Sequence, residues 1–297
     1  MRTEEQMFHL IVETARQDDR IRAVMLNGSR TNPNAPRDPF QDYDVVYVVT
    51  DVAPFVEDEA WIDRFGERIM MQMPETIDNP PPSGDGSFVY LMQFADGNRI
   101  DLTLYPRSRL DDFADDSLSL VLLDKDGLFE PLPPASDRDY LPSPPTAKAF
   151  ADCCNEFWWV SAYVAKGLWR EEILYAKHML NRFVRPQLMM MLTWYAGMRT
   201  DFTQSAGKHG KYLDRILEPD LWAMLLQTYS DADHDRTWDA LLTMGDLFRR
   251  VALQVAERFD LGYPDEDDRR MSAHLRHVRD LPHDAEQIYP GSDELEA

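Results

Sequence analysis

The chain has 297 residues, 44% of them hydrophobic and 11% aromatic. That length suggests two domains or one large one, and that apolar content supports a sizeable core, which excludes wholesale disorder. Fifty-three acidic residues face 31 basic ones, a formal net charge of −22; such a surface repels a phosphate backbone, so extended nucleic-acid binding is disfavoured and a cationic partner is favoured.

The opening run MRTEEQMFHLIVETARQDDR carries early acids and no long apolar stretch, so neither a secretory signal nor an anchor is expected there. No later stretch is apolar for long enough to cross a membrane. The two cysteines, Cys153 and Cys154, are adjacent, which suits neither a disulfide framework nor a zinc site. They are read as free thiols of a cytoplasmic protein.

In chain order, Met7, Leu10, Ile11 and Ala15 give residues 4–17 a helical spacing. Ile21 to Leu26, Val45 to Val49, Phe88 to Phe94 and Ile100 to Tyr105 are of strand length and rich in β-branched or aromatic residues. Glu57 to Met73 alternates on a helical period and stops before Pro74. Asn79 to Gly86, NPPPSGDG, reads as an exposed loop, and Asp96-Gly97-Asn98 as a hairpin turn that makes the last two strands antiparallel. After Ser108 a short acidic helix is expected. Pro131 to Thr146 is a proline-rich linker that supports neither helix nor central strand. From Ala147 the chain reads as helical, with breaks at Gly197, Gly207 and Pro219, and it ends in a polar tail expected to fray after Leu281. The fold class is α+β. A first domain over 1–135 holds a mixed sheet with flanking helices, an all-α domain follows over 136–285, and 286–297 is tail.

Three features of the first half converge. The first strand ends in Asn27-Gly28-Ser29-Arg30, a tight turn with a small residue and a hydroxyl. Asp42-Tyr43-Asp44 opens the second strand, and Asp101 opens the fourth. Residues i and i+2 of a strand share a face, so Asp42 and Asp44 project together while Tyr43 points away. Carboxylates held that close repel unless a cation sits between them, and magnesium favours such hard oxygen donors. Asp101, on a strand able to lie beside the second, supplies a third ligand for a two-metal arrangement. Gly28 lets backbone N–H groups and the Ser29 hydroxyl approach phosphates closely. Gly-Ser and Asp-x-Asp are common alone; a strand, G-S, an Asp-x-Asp opening a strand and an Asp opening another is a stronger combination. Later in the chain, Lys208 and Lys211, two of only six lysines, flank His209-Gly210 and are followed by Tyr212. A glycine-preceded helix start with lysines three apart on one face would clamp phosphates; two solvated lysines are the alternative.

G-S, then D-x-D, then a distant Asp resembles the active-site pattern of the DNA polymerase β nucleotidyltransferase superfamily. The runs LNGSRTNP, FQDYDVVYVVTD, YLMQFADGNRIDLTL, CCNEFWWVSAYVAKGLWREEILYA and SAGKHGKYL, across residues 26–213, resemble the aminoglycoside 6-adenylyltransferases, which modify streptomycin. The resemblance implies a nucleotidyltransferase domain followed by a helical domain, with ATP and substrate bound between them. It implies that Asp42, Asp44 and Asp101 carry Mg2+ and catalysis. Gly28, Ser29 and Arg30 would meet the triphosphate, Lys208 and Lys211 would clamp it, and Tyr212 would contact the nucleotide. The implied reaction moves AMP from ATP to a hydroxyl of a polycationic aminoglycoside, the 6-hydroxyl of streptomycin by family analogy, and so gives antibiotic resistance. The alternatives are another acceptor, small molecule or protein, or an inactive nucleotide-binding relative.

Between Asp152 and Trp169, Glu156 sits among aromatics. Trp158 and Trp169 read as core. Glu156 is either a buried structural acceptor or, with Asp152, Asn155 and Trp159, a group that faces the substrate, because carboxylates pair with guanidinium groups and aromatic faces support them. The general base is Asp101, Glu156 or none. Met189 to Met191 reads as core filling, and His209 is given no role.

Overall fold

The computed structural model describes residues 1–82, 84–113 and 116–289. The chain parts into two compact units, Met1–Asp139 and Tyr140–Ala297.

The first unit begins with α1 (Glu4–Gln17), opened by a capping box in which Thr3 and Gln6 satisfy each other's backbone N–H groups. The strands are β1 (Ile21–Asn27), β2 (Tyr43–Val49), β3 (Arg68–Gln72), β4 (Phe88–Phe94), β5 (Arg99–Pro106) and β6 (Leu120–Asp124), with the one-turn helix α2 (Ala53–Glu57) after β2. They form one sheet in the order β3-β4-β5-β2-β1-β6. Among these strands only β2 and β5 run parallel; the other pairings are antiparallel, so the sheet is mixed. Along β4 and β5 apolar residues alternate with half-buried ones, as a sheet covered mainly on one face requires. Met7, Ile11 and Ala15 of α1 pack on that face with Tyr43, Tyr47, Ile100 and Leu102, and Phe55, Trp61 and Phe65 extend the cluster. The opposite face carries a small cluster of Met25, Val46 and Tyr105 at one end and leaves the start of β2 and β5 open to polar residues.

Two expectations for this unit are corrected. Residues 57–73 are not a helix. They give the end of α2, a 3-10 turn at Trp61–Phe65, and the edge strand β3. Trp61, Ile62 and Phe65 are buried under the sheet, Gly66 at φ +117° ends the turn, and the chain then pairs with β4 while Ile69 and Met70 stay exposed. The apolar spacing is real, but it serves a turn and then an edge. Secondly, β6 is a strand that the sequence pattern does not announce: it adds to β1 at the other edge with no fully buried position to mark it. The short acidic helix is a 3-10 segment at Arg107–Asp112.

The second unit is helical, with α3 (Ala147–Trp169), α4 (Ile173–Met179), α5 (Arg185–Arg199), α6 (Pro219–Gln227), α7 (His234–Phe259) and α8 (Asp265–Asp280). A π-turn at Leu180–Val184 joins α4 to α5. Helix α3 is the spine. Phe157 stacks flat on Phe248 of α7 with centroids 3.8 Å apart, and Trp158 is buried with its ring edge facing Gly245 of α7. Asp268 of α8 is 3% exposed and takes a bidentate pair from Arg249, a hydrogen bond from the Tyr263 hydroxyl and one from Ser272. Burial works against its charged form, yet these donors outweigh it and hold the carboxyl below the usual range. Gly197 does not break α5; it lies in the last turn, where a Cβ would meet the Phe202 ring at 2.5 Å. Pro219 does open a helix, at the first position of α6. The segment after Leu281 does not fray up to Tyr289: Tyr289 stacks on His277 and its hydroxyl lies 2.8 Å from His274 Nδ1. The rest of the expected tail, 290–297, lies outside the described residues. Among the described residues no helix is long and apolar enough to cross a membrane.

Candidate active site

The sheet register assembles the carboxylates. Asp44 of β2 lies opposite Asn27 of β1 on one side and Asp101 of β5 on the other, so the end of β1, the start of β2 and the start of β5 meet in one place. Asp42 immediately precedes β2 and shares a face with Asp44, while Tyr43 between them is 1% exposed in the core. One oxygen from each of Asp42, Asp44 and Asp101 lies within 4.8 Å of the others, and all three residues are half-buried. Three hard oxygen donors at that separation fit magnesium, which keeps its remaining positions for water or phosphate oxygens.

Gly28 is held against this cluster. It sits at φ +75°, where L-residues are strained, and a Cβ there would fall 2.1 Å from Asp44 Oδ2. The turn Gly28–Arg30 is fixed from behind: Gly28 N–H donates to the Leu118 carbonyl, and the Thr31 hydroxyl to the carbonyls of Gly28 and Leu118. The Ser119 hydroxyl donates to Asn27 Oδ1. Thus the segment leading into β6 buttresses the turn, a role that nothing local in its sequence announces. Ser29 stands in the turn, half-buried. Arg30 turns its guanidinium the other way, donating to the carbonyls of Gln41 and Asp42 and lying 3.7 Å over the Tyr43 ring. Its side chain therefore positions the Asp42 backbone.

Arg99 joins the site without having been expected there from the sequence. It donates Nε to Asp101 Oδ1 at 2.7 Å and Nη2 to Asp101 Oδ2 at 2.6 Å, and Nε lies 3.9 Å from Asp42 Oδ2. The hydrogen bonds to Asp101 are the main reason its pKa is raised; desolvation opposes the shift, and the charges of Asp101, Asp42 and Asp44 add to it. A signal is present in the sequence, since Arg99 and Asp101 are i and i+2 on one strand and must share a face.

In the helical unit, Lys208 opens a short turn rather than a helix, and Lys211 and Tyr212 follow it. Residues 208–210 form a single 3-10 turn with His209 left-handed and both Gly207 and Gly210 at positive φ. The shared helix face expected for the lysines is therefore absent. Instead, Lys211 Nζ lies 5.0 Å and the Arg215 guanidinium 4.5 Å from the Tyr212 ring centroid, so Arg215 joins Lys211 at this ring. Asn155 and Trp159 of α3 line a pocket of about 770 Å3 with Trp158, Tyr263, Asp267 and Arg270. Glu156 is half-buried and does not line it. Asp152 is exposed and paired with Lys148 one turn away.

A mixed sheet that gathers three carboxylates beside a glycine turn, followed by a helical unit, defines the nucleotidyltransferases as the class. Within it, the chain belongs to the streptomycin adenylyltransferase family, which it matches over residues 1–278. It is 44% identical over 270 residues to the aminoglycoside 6-adenylyltransferase of Bacillus subtilis (strain 168), an alignment covering 90% of this chain and 95% of that one. It is 41% identical to the enzyme of that name from Campylobacter jejuni, across 91% of this chain and 93% of the relative. The Staphylococcus aureus enzyme of that name is 38% identical, across 89% and 94%. A crystal structure of an aminoglycoside 6-adenyltransferase from Bacillus subtilis aligns over 95% of this chain and 100% of that one, at 39% identity and a TM-score of 0.47.

Proposed function

We propose that the protein transfers AMP from ATP to a hydroxyl of a cationic aminoglycoside, the 6-hydroxyl of streptomycin, releasing pyrophosphate and conferring resistance in the cytoplasm. The observation that carries this reading is the convergence of Asp42, Asp44 and Asp101 against Gly28, in a chain 38–44% identical to three aminoglycoside 6-adenylyltransferases. A bound Mg2+ would lower the pKa of the acceptor hydroxyl and offset the charge of the triphosphate. The acceptor oxygen attacks the α-phosphorus in line, the bond to the β-phosphate oxygen breaks, and the hydroxyl proton passes to Asp101. Gly28 and the Ser29 hydroxyl admit the phosphates to the turn, with Arg30 holding the Asp42 backbone beside them. Lys208 and Lys211 are assigned to the β- and γ-phosphates and Tyr212 to the nucleotide. Asn155 and Trp159 are assigned to the acceptor, with Asp152 and Glu156 as further carboxylates on the same helix for its guanidinium groups.

The test is pyrophosphate release from ATP and Mg2+, with and without streptomycin, for the native chain and Asp44→Ala. Release that needs both streptomycin and Asp44 is expected. Silence with streptomycin, from protein that is folded and binds ATP, would overturn the acceptor.

A further inference from the structure

A guanidinium lies against two carboxylates of the triad. Arg99 takes both oxygens of Asp101 and leans on Asp42 at 3.9 Å, while one oxygen of each carboxylate lies within 4.8 Å of the other two. We propose that Arg99 is a resident counter-cation of the carboxylate triad, which a divalent ion must move off Asp101, so that Arg99 sets how tightly the site takes metal. The proposal rests on the metal-site reading under the proposed function.

Charge is the physical basis. Three carboxylates so close repel one another, and a guanidinium bound through two hydrogen bonds offsets part of that repulsion. A divalent ion entering the same cluster then meets a positive group a few ångströms away and competes with it for Asp101. The guanidinium has somewhere to go. Arg99 is 45% exposed in its side chain and also borders a shallow groove on the sheet with Met70, Gln72, Leu91 and Gln93. It can therefore leave Asp101 without unfolding anything. Its presence disfavours metal on the bare triad, whereas an ion arriving with a triphosphate brings its own negative charge and meets less opposition. In this scheme Arg99 is a positioning residue: it touches the carboxylates, and its work is to keep Asp101 occupied until substrate comes.

The experiment is titration of the whole protein with Mn2+ alone, without nucleotide, reading free Mn2+ by electron paramagnetic resonance. Arg99→Ala is expected to tighten Mn2+ binding by roughly tenfold, the size of one unit charge's repulsion on a divalent ion at this range in a solvent-rich dielectric. Arg99→Gln, which keeps a polar side chain, should act in the same direction and stands in if the alanine variant fails to fold. The melting temperature without divalent ion should fall in both variants, and Mn2+ should raise it more than in the native chain. Affinity that is unchanged or weaker in folded variants would overturn the proposal. Asp42→Asn separates the two readings. If it leaves Mn2+ binding intact in native and Arg99→Ala backgrounds alike, the metal site itself fails. If it weakens binding while Arg99 substitutions do not tighten it, only the role of Arg99 fails.

Discussion

Gly28 is the position where one atom decides most. Its φ of +75° already disfavours any L-residue, and a methyl group would lie 2.1 Å from Asp44 Oδ2, inside the carboxylate's van der Waals envelope. Gly28→Ala must therefore push Asp44 out of the triad or open the turn clamped to Leu118. A displacement of about 1 Å at a reacting centre costs on the order of 100-fold in rate, so kcat should fall at least that far, while the far-ultraviolet circular dichroism stays native. Retained activity would mean that Asp44 is not held where the reaction needs it. Asp18 shows a residue-scale effect on stability. Hydrogen bonds from Arg20 lead the causes that hold its carboxyl down at about 2; burial opposes them, and Trp61 adds a further donor. Because the folded pKa lies below the unfolded one, the stabilisation is full above about pH 4 and is lost as pH falls through about 2. Asp18→Asn should cost about 1–2 kcal/mol at neutral pH, after allowing for solvent screening of the pair. Denaturant melts across pH 2–7 should show that gap closing in the acid limb, and a gap independent of pH would contradict the assignment.

Helix α3 shows what an element hides and what it announces. Cys153 and Cys154 both fall on its buried arc, at 2% and 0% exposure, and burial pushes the Cys154 thiol up to about 12 and that of Cys153 higher still. Neither thiolate forms at ordinary pH, so a disulfide-exchange reagent at pH 8 should label neither cysteine in the folded protein and both in denaturant. Rapid labelling of the native state would mean that α3 is not packed as described. The same logic explains which elements are legible in the sequence. β4 can be read as a strand-length run of apolar and aromatic residues, and β5 because one face is apolar and the other largely polar. Asp42 and Asp44 can be read as a pair because strand geometry puts i and i+2 on one face; Asp101 reaches them through the parallel pairing of β5 with β2. β6 cannot be read, since an edge strand with no buried position carries no alternation, and its identity comes from β1. Residues 57–73 mislead because Trp61, Ile62 and Phe65 have helical spacing over a single turn, and the chain beyond Gly66 takes its form from pairing with β4. Around Lys208 the sequence offers a glycine-led helix start. The positive φ angles at Gly207, His209 and Gly210 make a looped turn instead, whose form depends on packing of Tyr212 and Leu213. Arg99 is legible by the very rule that finds the aspartates.

At the scale of the whole molecule, the net charge of −22 is a property of the solubility shell and also a field. Under the proposed function a polycationic acceptor would approach down that field and ATP against it, with Lys208 and Lys211 as the local groups proposed to attract the nucleotide. Salt separates these cases. The screening length is about 30 Å at 10 mM ionic strength and about 8 Å at 150 mM, so acid side chains remote from the site act on an incoming substrate only in dilute buffer. For streptomycin, kcat/KM should therefore fall several-fold as KCl rises from about 10 to about 200 mM at fixed free Mg2+, with most of the loss in KM, on the order expected for steered association. For ATP the dependence should be flat or rise slightly, because screening removes a repulsion. The melting temperature, measured in parallel, should barely move over this range, since the fold is held mainly by the two apolar cores and by short, partly buried pairs such as Arg249–Asp268. Equal salt responses for the two substrates would place the charge outside the reaction altogether and leave it as a soluble coat; a steep fall for streptomycin alone would make the acidic surface part of how the acceptor is gathered.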